Sequence, residues 1–256
     1  TFTVFINTEP HDRAQPLFMS WQQLQEMKDA DVTIANHAVS HTSLIQRKPG
    51  QEEVDWREWA RQEISQAQQR IEQQLGSAPN MLAYPFGEFD RPLRALLAEM
   101  GYIAFGQHSG PLAVHSDPQA LPRFPFGGSF GDAEDFATKV NSLPMPLAEG
   151  RNAICWFSES EQPLEDMVLS GLQARPVLEL RLKSGIDPTT VNCFASSQGR
   201  VNPVVQGQYL RVQAPQSLRA GRSRYNCTAN SGRRGRFYWF SQQWIVLPEP
   251  SNNRKH

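Results

Sequence analysis

The sequence predicts an α/β domain over residues 1–148, followed by an all-β, sandwich-like domain over residues 149–256. In the first half, predicted strands alternate with predicted helices, which is typical of parallel strands covered by helices. After the Pro-rich stretch Leu143-Pro-Met-Pro-Leu147, helical periodicity stops and short runs alternate apolar and charged residues. A closed barrel of eight βα units needs about 200 residues or more. We therefore expect an incomplete, distorted barrel or an open sheet.

Local signals define each element of the α/β domain. Ser20 and Gln23 form a predicted capping box, and Asp90 is a predicted helix N-cap. Apolar residues at three-to-four spacing predict a long helix from Trp56 to Leu75, which Gly76 ends. The predicted strands are Thr3–Ile6, Val32–Ala35, Met81–Tyr84 and Tyr102–Phe105. Because mature domains rarely begin inside a core strand, we expect further chain upstream of Thr1.

Composition excludes several classes of function. The formal net charge is −1, which argues against binding to nucleic acid or to an anionic membrane. No apolar run of about 18 residues occurs, so no transmembrane helix is expected. Cys193 and Cys227 lie in the same strand-rich region and either pair in an oxidising compartment or remain buried free thiols. Cys155 is predicted to be a core residue.

Two histidines follow the second predicted strand, in Asn36-His37-Ala-Val-Ser-His41. Imidazoles four residues apart can converge on one cation where the chain leaves the carboxyl end of a strand. Active sites of βα barrels lie at that end, and neutral imidazole is a ligand of zinc and related divalent metals. The alternative is that both histidines are solvated loop residues.

A tight turn follows the third predicted strand, in Tyr84-Pro-Phe-Gly87-Glu-Phe-Asp90. Pro85 and Gly87 constrain the backbone, so its N–H groups can point into a pocket and stabilise an oxyanion. The simpler alternative is a strand-to-helix turn in which Asp90 only caps the next helix.

These segments together resemble a known family. The His37–His41 segment resembles the His-(Ser/Thr)-x-x-His metal motif of the polysaccharide deacetylases of carbohydrate esterase family 4, which share the NodB-homology fold. Thr1-Phe-Thr-Val-Phe-Ile6 is similar to the "ATFFV" strand of that fold, and the turn is similar to Tyr-Pro-Tyr-Gly-Glu-Tyr-Asp of poly-N-acetylglucosamine deacetylases. Leu121-Pro-Arg-Phe124 resembles a later Leu-Pro-Arg segment of the same group. The resemblance covers about residues 1–145.

The resemblance implies a metal-dependent hydrolase that removes N-acetyl groups from a polysaccharide such as poly-N-acetylglucosamine. It implies a divalent metal, zinc, held by His37, His41 and an Asp expected upstream of Thr1 in a Thr-Phe-Asp-Asp segment, which also supplies the base. The backbone N–H of Phe86 would hold the oxyanion. Tyr84, Pro85 and Gly87 would line the substrate pocket.

The chain departs from the family pattern at several positions. Ala38 replaces the Ser or Thr between the two ligands, and Ala83 stands where many members carry an Arg that orients the base. Arg123 is the candidate to replace that Arg. The late Leu-x-His segment, source of the general acid, has no clear match. His108 follows the fourth predicted strand and is either a candidate for that role or, as we expect, a histidine of a surface loop.

Two other functions stay open at this stage. One is a non-catalytic carbohydrate-binding or envelope-structural protein on the same fold, and the other is an O-acetyl esterase. The substrate class implies a periplasmic or secreted protein whose partner is an N-acetylated polysaccharide and not a nucleic acid.

Overall fold

The chain folds into two compact units. The structure, a computed structural model, describes residues 2–114, 116–126, 131–148, 153–156, 163–164, 166–170 and 174–247. One unit comprises Thr1–Gln107 with His115–Leu121, and the other comprises His108–Val114 with Pro122–His256. This division falls earlier in the chain than the predicted boundary at residue 148. Residues 149–152 lie outside the described part, and the assignment of two functional domains stays a prediction.

The first unit contains one parallel sheet and most of the helices. Its strands are β1 (Thr3–Ile6), β2 (Thr33–Asn36), β3 (Met81–Ala83) and β4 (Ile103–Phe105), and its helices are α1 (Thr8–Asp12), α2 (Trp21–Asp29), α3 (Glu53–Leu75), the 3-10 turn Pro85–Gly87, and α4 (Arg91–Glu99). The strands are hydrogen-bonded in the order β1-β2-β3-β4, and every pairing is parallel. The carboxyl ends of β2 and β3 are therefore neighbours at one edge of the sheet.

The helix boundaries follow the capping signals in the sequence. The Ser20 hydroxyl accepts from the Gln23 N–H, and the Gln23 side chain accepts from the Ser20 N–H, which completes the predicted capping box. Asp90 accepts from the Leu93 N–H at the start of α4. Gly76 ends α3 at φ 80°, a conformation that glycine adopts without a steric penalty.

Helix α3 covers the sheet because one of its faces is apolar. That face is formed by the buried residues Trp56, Ala60, Ile64, Ala67, Ile71 and Leu75. Ile71 and Leu75 belong to a core cluster with Ile6, Leu24 and Ile34, residues contributed by β1, α2 and β2. The three-to-four periodicity of the sequence thus corresponds to the buried stripe of the helix.

The second unit is built mainly of antiparallel strands. It contains α5 (Ala133–Val140), β5 (Leu143–Pro144), β6 (Ala153–Trp156), β7 (Val168–Ser170), β8 (Val177–Arg181), the 3-10 turn Pro188–Thr190, β9 (Asn192–Ala195), β10 (Gly199–Val201), β11 (Val204–Gln206), β12 (Tyr209–Gln213), β13 (Gly221–Asn230) and β14 (Phe237–Leu247). One sheet has the order β10-β9-β13-β14-β5, with β7 also paired to β14, and the other has the order β11-β12-β8-β6. The short strand β5 pairs with β14, so residues 143–144 belong to this unit although they precede the predicted boundary.

The two sheets of the second unit share a hydrophobic core cluster in which Tyr225 and Trp244 are fully buried. A disulfide joins Cys193 to Cys227, whose Cα atoms lie 4.2 Å apart because β9 and β13 place the two residues directly opposite each other. Cys155 is a buried free thiol, as predicted, and burial raises its pKa to about 12. With its three sheets and its helices, the protein has a mixed α/β fold over the residues that the structure describes. The distorted barrel and the sandwich stay predictions.

Candidate functional site

The two histidines predicted as metal ligands lie at the carboxyl edge of the parallel sheet. The His37 N–H donates to the Ile6 carbonyl at 2.9 Å, which extends the pairing of β1 and β2 by one residue. The centroids of the His37 and His41 rings are 4.7 Å apart. The structure therefore brings the two imidazoles together, as their spacing after β2 predicts.

A backbone carbonyl orients the ring of His37. Its Nδ1 lies 2.6 Å from the carbonyl oxygen of Ala83, the last residue of β3. A carbonyl oxygen only accepts hydrogen bonds, so Nδ1 carries the proton and Nε2 is the nitrogen with ligand character. Donation of one ring N–H to a carbonyl is the usual arrangement of a histidine that binds metal.

The loop between the histidines has an unusual backbone. Ala38 and His41 both have positive φ, at 66° and 60°. Non-glycine residues in this region are strained, and such residues persist where surrounding contacts hold them. The Asn36 side chain provides one such contact, because its Oδ1 accepts from the Ala38 N–H at 2.8 Å.

Asn36 also ties this loop to helix α3. It is fully buried, and its Nδ2 donates to the Ile64 carbonyl at 2.9 Å and to the Gln68 side chain at 3.3 Å. Every polar atom of the amide therefore has a partner, which is what burial of an amide requires. The chain turns sharply after β2 at a position that is anchored in the core.

The turn after β3 lies beside the second histidine. The ring of Phe86 lies 4.6 Å from the ring of His41, measured between centroids. Phe86 has φ 57° and Gly87 has φ 71°, so two successive residues are left-handed. The Gly87 N–H donates to the Tyr84 carbonyl at 2.8 Å and closes the turn. The oxyanion role of the Phe86 N–H stays a prediction.

Only one side chain of this turn is well exposed. Phe86 is 50% exposed, whereas Tyr84, Pro85 and Gly87 are buried. The Tyr84 hydroxyl donates to the Gln119 carbonyl at 2.7 Å, and burial raises the pKa of its phenol far above the usual range. The phenol of Tyr84 is therefore a core group. Because this side chain is buried, only the backbone of Tyr84 could contact a substrate.

Residues just after His41 also contact the turn after β3, and the sequence gives no clear signal for these contacts. The Ser43 hydroxyl donates to the Glu88 carboxylate at 2.5 Å. Arg47 forms an ion pair with Asp90 at 2.9 Å, and its guanidinium lies 3.9 Å from the centroid of the Trp56 ring. Asp90 is thus a helix cap, as predicted, and also the ion-pair partner of Arg47.

Arg123, the candidate for orienting the base, and His108 belong to the second unit. His108 is buried, so the expectation of a surface-loop histidine is wrong. The Arg123 N–H donates to the His108 carbonyl at 3.1 Å. Burial and then the neighbouring Arg222 lower the pKa of Arg123 to about 10. Burial, followed by Arg224 and Arg222, lowers the pKa of His108 to about 4, so this imidazole is neutral at pH 7. Their catalytic roles stay predictions.

The donor set of this site fits part of a zinc site. Imidazole is a typical zinc ligand, and one of the two rings here is oriented by a carbonyl. Within the described part of the chain, no group of three or more His, Cys, Asp or Glu side chains is arranged to hold a metal ion. The role of His37 and His41 as metal ligands stays a prediction. No helix in the described ranges is long and apolar enough to span a bilayer.

Comparison with known proteins finds one family that resembles part of the first unit. The sequence model of the polysaccharide deacetylase family matches residues 1–105. No curated protein matches the chain in sequence.

Several solved structures resemble the chain over part of its length. The deacetylase PplD of Streptococcus pyogenes, in complex with acetate, is 20% identical with a TM-score of 0.42, over 47% of this chain and 50% of that one. The BpsB deacetylase domain of Bordetella bronchiseptica is 21% identical with a TM-score of 0.38, over 41% and 48%. A de-N-acetylase from Aggregatibacter actinomycetemcomitans is 19% identical with a TM-score of 0.36, over 42% and 48%.

The matched part of this chain spans about half the length of each of these structures. Their identities lie below 25% and their TM-scores below 0.5, so the assignment depends on the family match and not on them. That match covers β1 to β4 together with both histidines and the turn after β3. Residues 1–105 are thus similar in sequence to the polysaccharide deacetylases, a family of hydrolases, and the matched part is less than half of the chain.

Proposed function

We propose that this protein is a metal-dependent hydrolase that removes N-acetyl groups from a polysaccharide such as poly-N-acetylglucosamine. The observation that carries the proposal is the pair of imidazoles at the carboxyl edge of the sheet, with the ring of His37 oriented by Ala83 and the ring of His41 beside Phe86. Both lie within the segment that matches the deacetylase family.

His37 and His41 would hold the divalent metal, zinc, through ring nitrogens. A metal in this position supplies Lewis acidity toward the acetyl carbonyl and activates water for attack. The chain contributes orientation: the Ala83 carbonyl holds the tautomer of His37, which keeps the proton on Nδ1 throughout the reaction. By the family resemblance, the third ligand and the base would be Asp residues of a Thr-Phe-Asp-Asp segment.

The turn after β3 would provide the oxyanion contact. Preorganised backbone N–H groups stabilise the charge that develops on a carbonyl oxygen when its carbon becomes tetrahedral. We assign this role to the N–H of Phe86, because the left-handed conformations of Phe86 and Gly87 hold the backbone beside His41. Pro85 and Gly87 would shape this wall of the pocket.

The disulfide supports an oxidising compartment. Disulfides persist in the periplasm and outside the cell but are rare in the reducing cytosol. The bond between Cys193 and Cys227 is therefore consistent with a periplasmic or secreted protein that meets its polysaccharide outside the cytoplasm. We also propose that residues 1–148 form an incomplete, distorted barrel and that residues 149–256 form a β-sandwich.

The decisive experiment combines zinc analysis with an assay of acetate release by the full-length protein. Wild type should contain about one zinc per chain and release acetate from N-acetylglucosamine oligomers. His37→Ala and His41→Ala should each lose zinc and activity. His11→Gln is a matched control, because His11 is another imidazole of the first unit that bonds a carbonyl, that of Met19.

Three outcomes separate the alternatives. Undiminished zinc in both His37→Ala and His41→Ala would contradict the metal site. Acetate release from O-acetylated xylan but not from N-acetylglucosamine oligomers would identify an esterase. Zinc-free, inactive wild type that still binds the oligomers would identify a non-catalytic carbohydrate-binding protein.

A further inference from the structure

A carboxylate from helix α3 lies against the loop that carries the two imidazoles. The Oε2 atom of Glu63 accepts from the backbone N–H groups of Val39 at 3.2 Å and Ser40 at 3.1 Å. It also accepts from the Ser40 hydroxyl at 3.0 Å. One oxygen thus binds three donors, all of which lie between His37 and His41 in the chain.

The backbone of the loop explains why an anion lies there. A residue with positive φ turns the following N–H groups toward a common point, and such concavities bind anions. Ala38, with φ 66°, precedes the N–H groups of Val39 and Ser40, and Glu63 occupies the concavity that they form. The carboxylate therefore stabilises the strained conformation that the loop needs to bring its two ends together.

Helix α1 holds the loop from its carbonyl side. The N–H groups of Thr8 and Glu9, in the first turn of α1, donate to the carbonyls of Ala38 at 3.2 Å and Val39 at 3.1 Å. These contacts join the loop to a helix that follows β1, whereas Glu63 joins it to a helix that follows β2. The loop is thus fixed on both of its polar sides, and Glu63 supplies the only charge among these contacts.

We propose that Glu63 is a positioning residue that holds the loop in the conformation in which His37 and His41 converge on one cation. The proposal depends on the proposed metal site, and it adds a residue that touches neither the metal nor the substrate. Groups that orient metal ligands through hydrogen bonds typically change metal affinity 10- to 100-fold when removed. Glu63 acts one step further away, through the backbone that carries the ligands.

The test measures zinc affinity of the full-length protein by competition with a chromophoric chelator. Glu63→Ala should weaken zinc binding by about 10- to 100-fold. Glu63→Gln keeps an acceptor oxygen but loses the charge, so its loss should be smaller, about 3- to 10-fold. Glu58→Gln is the matched control, because Glu58 is an exposed carboxylate of the same helix that accepts from the Gln62 side chain, one turn along that helix.

A second readout needs no metal. In the metal-free protein, the amides of Val39 and Ser40 should exchange hydrogen faster in Glu63→Gln than in wild type, because they lose a charged acceptor. The exchange of amides in the middle of α3 should not change. Should Glu63→Ala fail to fold, Glu63→Gln decides the question, with its thermal midpoint showing that the fold is intact.

The results separate this inference from the proposed function. If His37→Ala loses zinc but both Glu63 variants bind zinc like wild type, the positioning role is refuted and the metal site stands. A lowered thermal midpoint with unchanged zinc affinity of the folded protein also refutes it, because Glu63 would then stabilise the fold alone. If His37→Ala and His41→Ala keep full zinc affinity, the metal site itself is refuted and the role of Glu63 with it.

Discussion

Replacing Asn36 with Ala should destabilise the first unit and loosen the histidine loop at the same time. Asn36 ends β2, is fully buried and makes hydrogen bonds in two directions. Its Oδ1 binds the N–H of Ala38, and its Nδ2 binds the Ile64 carbonyl and the Gln68 side chain. The substitution removes all of these contacts without adding bulk.

The expected loss of unfolding free energy is about 2–4 kcal/mol. The largest part comes from Ala38, because its N–H is left buried without the acceptor that Asn36 supplied, which costs about 1–3 kcal/mol. The Ile64 carbonyl lies inside α3 and keeps its place in the helix ladder. Losing its bond to Asn36 should therefore cost only about 0.5–1 kcal/mol, and the small void left by the amide adds to the total.

Urea unfolding followed by circular dichroism should show this loss in the transition of the first unit. Asn36→Asp is the informative comparison, because it keeps the acceptor for Ala38 and loses the donor. We expect Asn36→Asp to retain slow exchange of the Ala38 amide, which Asn36→Ala should lose. A loss below about 1 kcal/mol in Asn36→Ala would show that the amide network contributes no more than one ordinary hydrogen bond, and would refute this reasoning.

Two further predictions concern the second unit. The disulfide between Cys193 and Cys227 closes a loop with a sequence separation of 34. Its reduction should lower the unfolding free energy of the second unit by about 3–4 kcal/mol. Identical calorimetric transitions with and without reductant would contradict this prediction. Burial lowers the pKa of His108 from 6.5 to about 4, so the unfolded chain takes up a proton at this residue at a higher pH than the folded protein does. The free energy of unfolding should therefore fall as the pH drops from 6.5 toward 4, and it should level off below pH 4. Denaturant unfolding at pH 7.5 and 4.5 should show a loss of about 2–3 kcal/mol that His108→Asn removes, and an equal pH dependence in the variant would disprove the assignment.

Elements that depend on local chemistry are accurately predicted from the sequence. The capping box at Ser20, the cap at Asp90 and the helix end at Gly76 are all observed where the sequence places them. The four strands of the parallel sheet differ from their predicted bounds by one residue at most at either end. Caps and periodicity operate within one or two turns of chain, so no distant residue is needed to predict them.

The partner of β5 and the pairing of the cysteines were harder to predict, because both depend on the register of distant strands. The short strand β5 precedes the predicted boundary, yet it pairs with β14 near the other end of the chain. The sequence alone does not distinguish a disulfide between Cys193 and Cys227 from two buried free thiols. The register between β9 and β13 decides the matter by placing them opposite each other.

The sequence by itself determined that two histidines follow one strand, that a Pro-Gly turn follows the next, and that parallel strands bring both to one edge. Only the tertiary structure decided how the loop between the histidines is held. Glu63 lies more than twenty residues downstream of that loop and looks, in sequence, like any charged residue on a helix. Helix α3 packs against β2 and places the Glu63 carboxylate next to the loop. There it accepts from the N–H groups of Val39 and Ser40, which the positive φ of Ala38 exposes. Backbone hydrogen-bond donors carry no residue identity, so a contact made to them leaves no motif in the sequence.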